Sequence, residues 1–213
     1  MAMRPATSLT ALLILAVGLL GSLEAAADDT SRATVQPRFA EKEGRIAAHA
    51  TFVTLFRDDF YRTVGYGADV SFFLSENLGV ELRGHNFHSW LSPTAEGIRD
   101  ETSLIPDLRA PDALFTGGVR WSWGYGKVLT LDRFVVHFDP QVSFHGGITL
   151  AERRVIPTVT PGIAFLTHWR HGIQIKLDLQ WTAQLERRQR GWTPSFGFAP
   201  LIGVGWSPER RLR

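Results

Sequence analysis

The chain has no cysteine among its 213 residues. That excludes a disulfide framework, a thiol nucleophile, Cys-ligated zinc and a lipid anchor on a cysteine after an export signal. It also lacks an excess of charge: 23 Lys and Arg stand against 21 Asp and Glu, a formal +2. So even a balance speaks against a large nucleic-acid footprint, and no nucleic-acid partner is expected. Long apolar runs are scarce as well. Leu9 to Gly21 is short for a spanning helix, and no other run approaches the roughly 18 residues such a helix needs.

What stands at the N-terminus has the make-up of an export signal. Arg4 supplies the positive start, Leu9–Gly21 the apolar run, and Ala25, Ala26 and Ala27 a small-residue cleavage site. Residues 1–27 are therefore expected to be removed. Residues 28–44, DDTSRATVQPRFAEKEG, are polar and aperiodic, and are expected to form a flexible lead-in.

From Arg45 onward the pattern is period two. In GIQIKLDLQW, Ile173, Ile175, Leu177, Leu179 and Trp181 share one parity and Gln174, Lys176, Asp178 and Gln180 the other. Side chains alternate across a strand, so this is a strand with one apolar and one charged face. Seven more such segments are expected at about 45–55, 64–74, 79–90, 113–125, 134–150, 155–169 and 192–206, and no helix.

The choice between a soluble sandwich and a membrane barrel rests on three features. The segments are long for soluble strands and suit a tilted bilayer crossing. All seven tryptophans, Trp90, Trp121, Trp123, Trp169, Trp181, Trp192 and Trp206, fall on the apolar parity, near strand ends. A membrane–water interface favours that ring, which is apolar yet keeps its N–H wet. The polar parity mixes glycines with Asp69, Glu81, Arg83, Arg120, His137, Asp139, Lys176 and Asp178, the small and oppositely charged side chains that fill a narrow barrel. The expected fold is therefore all-β: an eight-stranded antiparallel transmembrane barrel of the outer-membrane type over 45–206, with 207–213 as a free periplasmic tail. Glu81 with Arg83, and Lys176 with Asp178, are expected to neutralise each other and hold the interior shut.

Short connections at 75–79, 126–133 and near 170–172 are expected on the periplasmic side. The others face outward, among them the long Leu91–Asp112 segment with Pro93, Pro106 and Pro111. Leu104 and Ile105 are apolar there for no solvating reason and are expected to anchor a docking surface for another envelope protein. Arg153, Arg154, Arg187, Arg188 and Arg190 cluster on neighbouring outward loops, where arginine suits the phosphates of outer-membrane lipid and lipopolysaccharide.

Several stretches resemble the outer membrane β-barrel domain family of myxobacteria and related predatory or gliding bacteria. They are DDFYRTVGYGADVSFFLSENLGVELR, YGKVLTLDRFVVHFDPQVSFHGGIT and VTPGIAFLTHWRHGIQIKLDL. The resemblance spans roughly Arg45 to Trp206 and implies a barrel fold in a bacterial outer membrane. Some similar barrels belong to envelope-spanning gliding-motility complexes. It implies no catalytic residue.

Chemistry is thinly represented. His137, Asp139, Ser143 and His145 share a face of one segment, and His88 adjoins Ser89. Lipid A deacylases of similar size carry His-x-Ser facing lipid. Here Ser143 precedes His145, on the interior parity. His137 and His145 stand roughly 26 Å apart along a strand, too far to share a metal. No cofactor, metal site or enzymatic activity is expected. A structural or docking barrel is the reading, with a lipid A-modifying enzyme or a narrow channel as alternatives.

Overall fold

The computed structural model describes residues 41–57, 60–103, 109–130, 134–152, 154–169, 172–188 and 191–208. Residues 1–40, on which the expected signal and most of the expected lead-in fall, lie outside them, as do Leu104, Ile105, Arg153, Arg190 and residues 209–213.

Nine antiparallel strands form one sheet: β1 (Ile46–Leu55), β2 (Tyr61–Phe73), β3 (Leu78–Leu91), β4 (Ala113–Ser122), β5 (Gly126–Thr130), β6 (Phe134–Ala151), β7 (Arg154–His168), β8 (Ile173–Arg188) and β9 (Gly191–Trp206). The order β4-β3-β2-β1-β9-β8-β7-β6 closes through a direct β4–β6 pairing, so eight strands make the wall of a barrel. The connections β2–β3, β5–β6 and β7–β8 lie at the end where β1 begins and β9 ends, called the termini end here. The opposite, loop end carries β1–β2, β3–β4, β6–β7 and β8–β9. Among the described residues no helix is long and apolar enough to cross a membrane.

The wall is inside out relative to a soluble protein. Burial alternates residue by residue along β1, β2, β7 and most of β8. The residues turned inward are largely polar, whereas Phe52, Tyr66, Leu82, Phe144, Leu177, Ile202 and Val204 are exposed on the outside. Such an exterior in water would leave far more contiguous apolar surface than a soluble monomer shows.

Two expectations about elements need correction. The fourth strand does not run unbroken over 113–125 into a turn at 126–133. β4 stops at Ser122, and β5 continues along the same edge of β6. The register shifts between them, from Ser122↔Gln141 to Gly126↔Phe138, which leaves one extra residue on the β4–β5 side. That is a bulge, and Pro140 sits opposite it, with no N–H to offer the ladder. β5 pairs with β6 alone, so this hairpin extends beyond the wall at the termini end.

The second correction is a helix, α1 (Pro93–Thr102), inside the long loop expected to be irregular. Ser92 caps it by accepting from the Ala95 N–H at 3.3 Å, and Pro93 occupies its first turn. Ser103 closes it in a left-handed conformation at φ 57°. Only Ala95 of this helix is buried, so it lacks the apolar stripe that would have revealed it.

Candidate functional site

The interior of the barrel is the first candidate. At its centre Glu81 on β3 receives Arg83 from its own strand and Arg120 from β4. Lys176 of β8 reaches it at 3.3 Å and also pairs with Asp69 on β2. Arg83 extends to Asp178 on β8. Ser71 donates to Glu81 at 2.7 Å, and His145 Nε2 lies 3.4 Å from it. Asp69 and His49 meet at 2.8 Å, and the other His49 nitrogen meets Gln174 at 3.0 Å. Three carboxylates and three cations therefore balance in one cluster. Glu81 is 1% exposed and Lys176 0%.

The route of these bonds matters more than their number. β3 and β8 lie four strands apart whichever way the wall is followed. Lys176–Glu81 and Arg83–Asp178 are thus bridges straight across the lumen. This corrects the expectation that Lys176 pairs with Asp178. Two residues apart on one strand they stand about 7 Å from each other, and across so narrow a barrel the opposite carboxylates are as near. Room for the long side chains comes from small ones. A Cβ at Gly162 would stand 3.0 Å from Asp178 Oδ1, and one at Gly118 only 2.7 Å from the His145 ring.

A second polar layer lies toward the termini end. Lys42, from the segment expected to be a flexible lead-in, enters the barrel and is 4% exposed. Its ammonium pairs with Asp139, bonds Ser122 at 2.7 Å and sits 5.4 Å from the centre of the Phe73 ring. Asp139 thus belongs to this layer and not to the central cluster. His137 belongs to neither: it is only half-buried near the projecting hairpin and stacks on Tyr125, ring centres 6.0 Å apart. Toward the loop end, Thr149 and Thr158 bond at 2.7 Å and Gln184 donates to Thr149 at 3.0 Å. Arg57, from the β1–β2 connection, bonds Gln184 and Glu186 at 3.0 Å each and donates to the Arg109 carbonyl.

The catalytic inventory does not assemble. Ser143 is buried, and its hydroxyl has no hydrogen-bond partner among the described residues. Ser89 bonds Thr63 at 2.8 Å, and His88 lies against Trp90 at 5.8 Å on the outside. Among the described residues no group of acidic and His side chains has the geometry of a metal site.

All seven tryptophans are exposed on the outer wall. Trp121, Trp123, Trp169 and Trp206 stand at the termini end, Trp90 and Trp192 at the loop end. Trp181 departs from the expectation: it lies mid-β8, because β8 runs on to Arg188 instead of ending near Leu185, and it packs on Phe198 at 5.7 Å. Of the rim arginines, Arg154 and Arg187 are described and both line a cavity of about 290 Å³ at the loop end. The Arg188 side chain, Arg153 and Arg190 fall outside the described residues, as do Leu104 and Ile105, the expected docking anchor.

Fold and interior together define a closed eight-stranded antiparallel β-barrel with a polar, self-neutralised lumen and an apolar exterior. No protein-family model matches the chain, and neither does any curated protein; the resemblance to a myxobacterial family is not shown by these comparisons. Solved structures that it resembles include the N-terminal β-barrel domain of Pseudomonas aeruginosa OprF. There the identity is 12%, coverage 78% of this chain and 98% of that one, and the TM-score 0.43. For the outer membrane protein AlkL in lipid bilayers the figures are 9%, 88%, 99% and 0.39. For Ail, the attachment invasion locus protein of Yersinia pestis, they are 12%, 78%, 99% and 0.37. Likenesses this shallow carry no argument about the present chain.

Proposed function

We propose that this protein is a bacterial outer-membrane barrel with a structural or docking role in the cell envelope, neither an enzyme nor a diffusion channel. The observation that carries the reading is the pair of cross-lumen bridges, Lys176–Glu81 and Arg83–Asp178, set between an apolar exterior and two further polar layers. Closed barrels are one of two architectures that satisfy every backbone group in hydrocarbon, and the export signal read at 1–27 would bring the chain to the outer membrane. A lumen sealed by paired charges leaves the outward segments to do the work. Helix α1, solvated nearly all round with Ile98 exposed, is the element best placed to meet another envelope protein. A place in a motility-type envelope complex is the finer form of this reading, and it rests on the sequence resemblance alone.

The test is reconstitution of the full chain in planar lipid. Insertion with no steady conductance and no deacylation of lipid A is the expected result. A steady conductance would establish the channel, and released acyl chains the enzyme.

A further inference from the structure

The wall is not uniformly closed. β7 and β8 pair from His168↔Gln174 as far as Thr158↔Gln184, and there the ladder stops. Beyond it β7 pairs only with β6, to Ala151↔Arg154, and β8 only with β9, to Arg188↔Gly191. The two hairpins therefore part at the loop end and leave a notch in the barrel's side.

The cause is legible in β7. Trp169, just past the strand, donates its N–H to Ile173, which assigns the odd-numbered amides of this strand to the β8 side. Pro157 and Pro161 are odd-numbered, so both missing donors face β8. The ladder skips the position of Pro161 and has ended by that of Pro157.

The 290 Å³ cavity occupies this notch. Ile156 and Glu186 line it from the lumen parity, and Val155, Leu185, Arg187 and Trp192 from the outer parity, so it passes through the plane of the wall. Its outer lip is apolar: Val155 is 61% exposed, Leu185 44% and Trp192 61%. Its charge is positive. Among the described residues, the one carboxylate in the lining, Glu186, is held by Arg57, whereas Arg154 and Arg187 have no ion pair. Arg109, placed at the cavity by the bond from Arg57 to its carbonyl, adds a third guanidinium, 3.7 Å from exposed Glu152.

We infer that this notch is a binding site for one phosphorylated acyl lipid of the lipid A kind, held by Arg154 and Arg187 at its headgroup phosphates. One acyl chain lies along Val155, Leu185 and Trp192 on the outside of the wall. Arginine forks match phosphate oxygens in pairs, and an apolar lip beside them suits an amphiphile and not a free anion. The assignment rests on the membrane reading above: with the termini end in the periplasm, the notch opens at the level of the outer leaflet, where lipid A resides.

The test is binding of fluorescent lipid A to the full chain folded in zwitterionic micelles. Heat-modifiable migration certifies the fold of each protein. Arg154→Gln with Arg187→Gln should weaken binding about tenfold or more, the loss expected for two charge-assisted hydrogen bonds. Arg99→Gln on α1 should leave it unchanged. Inorganic phosphate should fail to compete, and phosphatidylglycerol should compete poorly. Equal affinity of the double variant and the parent would overturn the site. Full competition by inorganic phosphate would overturn the lipid, and full competition by phosphatidylglycerol would overturn the choice of lipid A. A chain that never becomes heat-modifiable would instead overturn the membrane barrel itself, so the two failures are distinguishable.

Discussion

The two sides of β8 are built differently. Toward β9 its ladder is unbroken from Ile173↔Trp206 to Arg188↔Gly191. Toward β7 it is interrupted at Pro161 and ends at Thr158↔Gln184. Proline count is not the difference, because β9 has two prolines of its own, Pro194 and Pro200. Their parity is. Phe198, even-numbered like them, exchanges both backbone bonds with Phe56, so the even amides of β9 face β1 and spare β8. The β1–β9 seam bears the consequence: its continuous pairing ends at Val53↔Leu201, one residue before Pro200, with only the isolated Phe56↔Phe198 bridge beyond. Where a proline points thus decides which seam of a barrel loses its pairing, and both seams lose it from the proline toward the loop end.

The middle is where the largest effect is expected. β8 is held from inside by Lys176 and Asp178 as well as by its neighbours. Glu81→Gln removes the anion shared by Arg83, Arg120 and Lys176, leaving buried positive charge without its partner. Breaking one member of a buried pair costs about 3–5 kcal/mol. Urea titration of the folded barrel in micelles should show a loss of that size, together with a rise in conductance if the cross-lumen bridges seal the lumen. An unchanged midpoint would mean that water, and not Glu81, balances these cations.

The outer face of β8 should come next. Leu177 lies mid-strand and exposed, at hydrocarbon depth on the membrane reading. Leu177→Arg should cost about 2–4 kcal/mol in lipid, and Leu185→Arg, near the loop-end rim, about 0–1. Refolding into vesicles measures both. Equal costs at the two positions would contradict the depth assigned to the wall.

A smaller effect, of opposite sign, sharpens the seam comparison. Pro161→Val restores a donor on the side of β7 that faces β8, in a residue suited to strands. A gain of about 1 kcal/mol is expected, the net worth of one backbone hydrogen bond. Amide exchange should show new protection at residue 161. Pro194→Val, which faces β1, should leave exchange along β8 unaltered.

What could be read beforehand followed from periodicity. Strand existence, the inward parity and the outward tryptophans come from side-chain alternation, a property of each strand taken alone. What could not be read depends on pairs remote in sequence. Lys176 and Asp69 are 107 residues apart, and which carboxylate meets which cation is decided by closure of the barrel and not by spacing. Lys42 escaped because its segment has no period, and a single lysine among polar residues gives no sign that it is buried. Helix α1 and the β4–β5 bulge escaped differently. Ser92-Pro93 is a helix start, and Pro140 marks a break in pairing, but each is a one-residue signal beside a long alternating pattern.

The last effect concerns the end of the strong seam. The tail was expected to hang free from Ser207 onward, yet Ser207 is 4% exposed. Its N–H donates to Gly172 at 2.9 Å, which carries the β8–β9 ladder one step past Ile173↔Trp206. Its hydroxyl donates to the Ile46 carbonyl at 3.0 Å and so ties β9 to the first residue of β1. The boundary of the expendable tail therefore moves beyond Ser207. Deleting 209–213 should leave the urea midpoint and membrane assembly unchanged. Ser207→Ala keeps the backbone bond and loses the hydroxyl, for about 0.5–1.5 kcal/mol. Deletion from Ser207 onward loses both and should cost more than the substitution. If that longer deletion were as silent as the removal of 209–213, the wall would end at Trp206 and the ties of Ser207 would contribute nothing.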